Sequence, residues 1–197
     1  MNEHLAPIFS VILPELHRSG SKYWVYGGVA IAGIKGKFLR PNPDVDLFVM
    51  EDDYEDIIET ISGLESKLGW RHEDKDAKKR NKRDWFAPNQ NEDVLSVVPT
   101  FPAGDRIRFV FGHGSYTSQN VLTSEIRTTA SFSFVTPSTA LIKELFLRKA
   151  HSGSCLLDSR ISKMKTDARV IMDRNEYQNF CTFVESRRKE RQRVVSS

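Results

Sequence analysis

The stretch from Tyr23 to Met50, YWVYGGVAIAGIKGKFLRPNPDVDLFVM, leaves the chain few ways to fold. Tyr23 to Tyr26 is short, aromatic and β-branched, and it stops at Gly27-Gly28, which reads as a strand running into a backbone turn. Residues 29–36 (VAIAGIKG) have the length and small side chains of a closely packed helix. A Gly-Gly turn entering a helix lets the main chain approach a phosphate, and the free N–H groups and helix dipole favour an anion there. Arg40-Pro41-Asn42-Pro43 cannot be helical and delivers the chain into a second strand, Asp44 to Met50, opened by two aspartates. On a strand, i, i+2 spacing puts Asp44 and Asp46 on one face about 7 Å apart along the backbone. Two hard cations can share such a spacing. Taken singly, a glycine pair can be a plain turn and an aspartate can cap a solvated strand end. Together, beside Val45, Phe48 and Val49 that look core-bound, they form a candidate site.

The 197 residues suit one domain, or a core of about 110 residues with an appended helical piece. With 39% hydrophobic and 28% charged residues, the chain can bury a real core. A net charge of +3 permits a polyanionic partner such as ATP or RNA without requiring one. Cys155 and Cys181 have no pairing or metal-ligand spacing, which reads as a reduced, cytoplasmic chain. The N-terminus lacks a basic region and carries Glu3, Pro7 and Pro14, unlike a signal peptide, and no apolar run reaches the length of a membrane span. The five histidines lack HxxxH or HxH spacing, which argues against zinc.

Along the chain, residues 3–19 read as an amphipathic helix and 51–69 as a second one with an acidic first turn. Trp70 to Arg83 contains a basic run from Arg71, read chiefly as a solvated face or loop. Residues 84–87, a turn at 88–91 and the segment Asp93 to Phe101 form a hairpin, with Asp93 opening an apolar strand as Asp44 does. Arg106 to Phe111 alternates like a strand, followed by a loop containing His113. Ser131 to Val135 reads as a strand and Thr136-Pro137-Ser138 as a helix start capped by Thr136. Two further helices run over residues 158–172 and 174–188, with a basic tail from about 187.

The combination Gly27-Gly28, Gly36, Arg40 and Asp44-x-Asp46 resembles the signature of the polymerase-beta-like nucleotidyltransferase superfamily, especially its small lincosamide- and aminoglycoside-modifying enzymes. The resemblance covers about 30 continuous residues; each part alone is unspecific. Ala32 and Asn42 depart from it, standing where those enzymes tend to carry an acidic residue and a histidine. The resemblance implies an α/β (α+β) fold: a small mixed sheet of four or five strands over residues 1–130, flanked by helices, with a C-terminal helical segment, 131–197, closing a cleft. It implies a transferase moving AMP or another nucleotidyl group from a nucleoside triphosphate to a hydroxyl acceptor, with pyrophosphate leaving. It further implies two Mg2+ ions held by Asp44, Asp46 and Asp93, with Asp93 also the general base. Gly27, Gly28 and Arg40 would meet the phosphates. Arg160, Lys163 and Asp167 match a later helix of the family, though Met164 replaces an aspartate there; Lys163 would reach the triphosphate, and Lys163 or Lys143 would look across the cleft at Asp44. The acceptor expected is a small molecule, with RNA or protein as alternatives; a toxin of this fold, or a regulatory module without turnover, is the competing class.

Overall fold

The computed structural model describes residues 2–74, 83–103, 106–109, 115–118, 123–129, 132–151 and 158–195. The chain divides into two compact units, Met1–Ser138 and Thr139–Ser197.

The first unit opens with a helical segment in three pieces: a 3-10 turn at Glu3–Leu5, a π-helical stretch at Ile8–Ile12 and α1 at Leu13–Arg18. The apolar face expected for one helix is kept, since Leu5, Ile8, Ile12 and Leu16 are all fully buried. The regular ladder is not kept, because Pro14 has no N–H to donate; the amide of Leu13 reaches back to the carbonyl of Ile8 instead.

Seven strands form the main sheet: β1 (Tyr23–Tyr26), β2 (Val45–Met50), β3 (Arg71–Asp74), β4 (Arg83–Phe86), β5 (Leu95–Ala103), β6 (Arg106–Phe109) and β7 (Ser115–Ser118). The order is β1-β2-β5-β4-β3, with β6 along the second half of β5 and β7 beyond it. The β2 and β5 strands pair in parallel, and the other pairs are antiparallel. This is more than the four or five strands expected. Strand β3 falls in a segment read as a solvated charge run, and β7 in one read as a loop. Both are short and polar (RHED, SYTS) and offer no apolar alternation to recognise. The rest of the basic run, 75–82, and His113 lie outside the described residues.

Helices α2 (Gly27–Lys35), α3 (Glu51–Ser62) and α4 (Glu65–Leu68) complete the layer beside the sheet. Glu51, Asp52 and Asp53 in the first turn of α3 complement its dipole, and Ile57, Ile58 and Ile61 turn inward. They join Val45, Leu47 and Val49 of β2 and Leu95 and Val97 of β5 in one cluster. Each such side chain contributes about 1.5–3 kcal/mol on burial, which outweighs local propensity in fixing the register. A separate hairpin, β8 (Glu125–Thr129) and β9 (Phe132–Thr136), lies against α2 and β1. That contact carries the first unit to Ser138, beyond the boundary of 130 read from the sequence.

The second unit holds α5 (Thr139–His151), α6 (Asp158–Ile171) and α7 (Arg174–Val195). Thr136 does not cap α5: it ends β9, and its hydroxyl donates to Pro137 O at 2.9 Å. Phe146 of α5 meets Phe180 of α7 with ring centroids 5.5 Å apart. Among the described residues, no helix is long and apolar enough to cross a membrane.

Candidate active site

Strand β1 ends at Tyr26 and α2 begins at once, with no side-chain cap on its first turn. The sharp reversal needs a left-handed residue, and Gly27 supplies it at φ +73°. A Cβ on Gly27 would stand 2.7 Å from Asp46 Oδ2, and one on Gly28 would collide with Asn42 Oδ1 and the Arg40 guanidinium. The glycine pair, Asp46 and Arg40 are therefore in contact, across a space only glycines leave open. Register explains the first meeting, since Tyr26 pairs with Asp46.

The loop before β2 explains the second. Arg40 donates through Nη1 to Asn42 Oδ1 at 2.8 Å and to Pro41 O at 3.1 Å. Asn42, only 3% exposed, returns a bond from Nδ2 to Arg40 O at 3.2 Å. Its own amide donates to Asn2 Oδ1 at 2.8 Å, and His4 Nε2 lies 3.1 Å from Pro43 O. The N-terminal segment thus ties down the loop that presents Arg40 and Asp44. Arg40 braces this loop with one arm while the guanidinium borders Gly28. Asn42, marked in the sequence only as a departure, is the hub.

Asp44 stands immediately before β2 and Asp46 is its second residue; both are half-buried. The parallel register with β5 sets Ser96 beside Asp46, and the antiparallel register with β4 sets Asp84 beside Ser96. Laterally paired residues project from the same face, so Asp46, Ser96 and Asp84 form one row. Asp93, expected at the head of this strand, lies before β5 begins at Leu95. It joins the row through Ser96, whose hydroxyl lies 2.8 Å from Asp93 Oδ2 and 2.6 Å from Asp84 Oδ1. Ser96 and Asp84 are both fully buried. Neither is a site candidate on sequence alone; only the cross-strand register reveals the row.

No protein-family model matches the chain, and no curated protein matches it in sequence. Solved structures match it in shape. ANT(2'')-Ia in complex with adenylyl-2''-tobramycin aligns with a TM-score of 0.61 over 94% of this chain and 99% of that one, at 14% identity. The lincomycin-bound lincosamide antibiotic adenylyltransferase LnuA aligns at 0.54 over 81% and 93%, at 18% identity. An antigenic nucleotidyltransferase-like protein from Paracoccidioides brasiliensis aligns at 0.51 over 98% and 93%, at 13% identity. The chain has the polymerase-beta-like nucleotidyltransferase fold.

Within this nucleotidyltransferase fold, the chemistry has to be read from the residues themselves. Among the described residues, no three Asp, Glu, His or Cys side chains gather closely enough to hold a metal ion. The donor set still suits magnesium, which commonly binds through one or two carboxylates and completes its shell with water and substrate phosphates. Asp44 and Asp46 are two carboxylates close in sequence, and Asp46 is the one in contact with the glycine cradle. In the second unit, Lys163 is exposed on α6, whereas Asp167 and Met164 are buried. Lys143 is engaged within that unit by Glu176. At the back of β1, Tyr23 donates to Leu13 O at 3.2 Å, and burial pushes its phenol up.

Proposed function

We propose that the protein transfers a nucleoside monophosphate, AMP in the first instance, from a nucleoside triphosphate to a hydroxyl-bearing acceptor. The observation that supports this best is the glycine cradle against Asp46: a Cβ at Gly27 would stand 2.7 Å from Asp46 Oδ2. That approach brings a carboxylate against the first turn of a helix, whose free N–H groups favour an anion such as a phosphate.

In this reading the acceptor oxygen forms a bond to the α-phosphorus. The bond from that phosphorus to the bridging oxygen of the β-phosphate breaks, and pyrophosphate leaves. The Gly27 and Gly28 amides hold the β- and γ-phosphates, and Arg40, braced by Asn42, offsets their charge. Asp44 and Asp46 would hold the divalent cations. Asp93, steadied by Ser96, takes the proton of the acceptor hydroxyl. Magnesium, when bound, offsets the triphosphate charge and activates the attacking oxygen. Lys163 is the further residue assigned to the triphosphate; Lys163→Met should raise the KM for nucleotide and leave folding unchanged.

The direct test is Asp46→Asn. Mg2+-dependent pyrophosphate release should fall by about 100-fold or more while the circular dichroism spectrum and melting temperature stay put. Undiminished release would sink the assignment. Labelled ATP, CTP, GTP and UTP, offered with small hydroxylated acceptors, RNA or protein, identify both substrates.

A second reading is a nucleotide-binding module without turnover. It is favoured by Ser96, not a carboxylate, standing beside Asp46. Calorimetric binding of nucleotide with Mg2+, without pyrophosphate release for any acceptor, would select it.

A further inference from the structure

The chain's last two helices are one of its two basic stretches, the other being the run from Arg71 to Arg83. Residues 158–195 contain ten Lys and Arg against six Asp and Glu, a net +4 that exceeds the +3 of the whole chain. Part of this charge lines an open groove of about 450 Å3 between α6 and α7. Helical spacing sets Ser162, Lys165 and Arg169 along one side of α6, while Tyr177, Glu185 and Arg188 come from α7.

A run of charge on a helix is ordinarily a solvated face, and Lys165 and Arg188 do have a protein carboxylate to face in Glu185. Arg169 has none. Its Nε–H donates to Tyr177 Oη at 2.9 Å and its guanidinium lies 5.3 Å from the Tyr177 ring centroid. The side chain is thereby oriented by its inner nitrogen and stacked, while its two Nη groups have no protein hydrogen-bond partner among the described residues. The Ser162 hydroxyl is likewise without one. The lining carries three cations and one carboxylate. A planar fork held in place, with a hydroxyl and an ammonium nearby, matches the oxygens of a phosphoryl group, which a guanidinium binds in bidentate fashion.

The geometry points to a phosphate-binding groove on the α6–α7 pair that takes the backbone of a single-stranded nucleic acid. The groove is open to solvent, as a strand requires, and α7 carries two further basic residues next to Arg188 in sequence, Arg187 and Lys189. Its aromatic residue, Tyr177, lies where a base can stack beside a bound phosphate. The groove's lining shares no residue with those assigned to nucleotidyl transfer, Lys163 lying on α6 outside it, and the proposal does not depend on that assignment.

The test is fluorescence anisotropy of a short fluorescein-labelled single-stranded RNA with the full chain, at salt from about 50 to about 200 mM. Binding should weaken with salt at a log–log slope of about −1.4, from about −0.7 for each of two phosphates neutralised. Arg169→Gln with Lys165→Gln should weaken binding about tenfold or more and flatten that slope. Arg169→Lys keeps the charge but loses the fork, and should weaken binding about threefold. Circular dichroism should show each variant folded, with pyrophosphate release unchanged. No binding by the wild-type chain at low salt overturns the proposal. So does binding that the folded variants retain in full, or phosphorus resonance titration showing a site for inorganic phosphate but none for the strand.

Discussion

Gly28 shows how narrowly single residues are constrained here. Gly28→Ala introduces a methyl group where Asn42 Oδ1 and the Arg40 guanidinium already stand. Both are held by mutual hydrogen bonds, so neither can retreat without cost. The expected result is a loss of about 1–3 kcal/mol in chemical denaturation and a larger proportional loss of nucleotide binding. Full retention of both would mean the cradle is looser than the distances imply. Ser96→Ala acts differently. It removes a fully buried hydroxyl that lies against Asp84 and Asp93, and should cost about 1–3 kcal/mol. If Ser96 also steadies the proton acceptor, kcat should fall while KM for nucleotide holds, and Ser96→Thr should recover part of the rate. A purely structural role would shift the denaturation midpoint alone. The aspartate pair and glycine pair were legible in the sequence because both lie within one continuous stretch. Ser96 and Asp84 were not, because their significance is a sheet register between segments distant in sequence.

Among the elements, α2 shows packing overriding propensity. Gly33 sits inside this helix, where alanine would ordinarily gain about 1 kcal/mol. A Cβ there would stand 2.9 Å from Arg127 Cβ and 3.0 Å from Phe134 Cζ of the β8–β9 hairpin. Overpacking of this kind costs about 1–3 kcal/mol, so Gly33→Ala should lower the melting temperature despite its better helix former. A rise in melting temperature would show that the hairpin yields freely. The same elements mark where sequence reading succeeds. Strands β2 and β5 and helix α3 carry dense apolar patterns and were recognisable; β3, β7 and β8 were not, since their residues are largely polar and their strand character comes from pairing. The start of α5 was misjudged for a related reason: Thr136 looks like a helix cap, but pairing with Glu125 holds it in the hairpin.

For the molecule as a whole, pH acts most visibly on the ion pairs of the second unit. In the second unit, Lys143 donates to Glu176 and Lys165 to Glu185, holding both carboxyls below their usual range, while Glu185 pushes the Lys165 ammonium up. Depressed carboxyls add stability that is present above their unfolded pKa and lost as pH falls through the folded one. The raised ammonium adds stability that is present below its unfolded pKa and lost as pH rises through the folded one. The helical unit should therefore melt highest in the neutral range, and lower below about pH 4 and above about pH 10.5. Far-UV circular dichroism melts across that range check it; a flat acid limb would show that these exposed pairs contribute nothing. One further consequence concerns time. Parallel strands cannot be joined by a tight turn, so β2 and β5 meet only after the intervening α3, α4, β3 and β4 have found their places. Asp46 is made early in synthesis, yet its neighbour Ser96 arrives last among these elements. In refolding, helical signal should return first and nucleotide binding only with the slowest phase, and a fragment ending before β5 should carry both aspartates and the glycine turn without a working site.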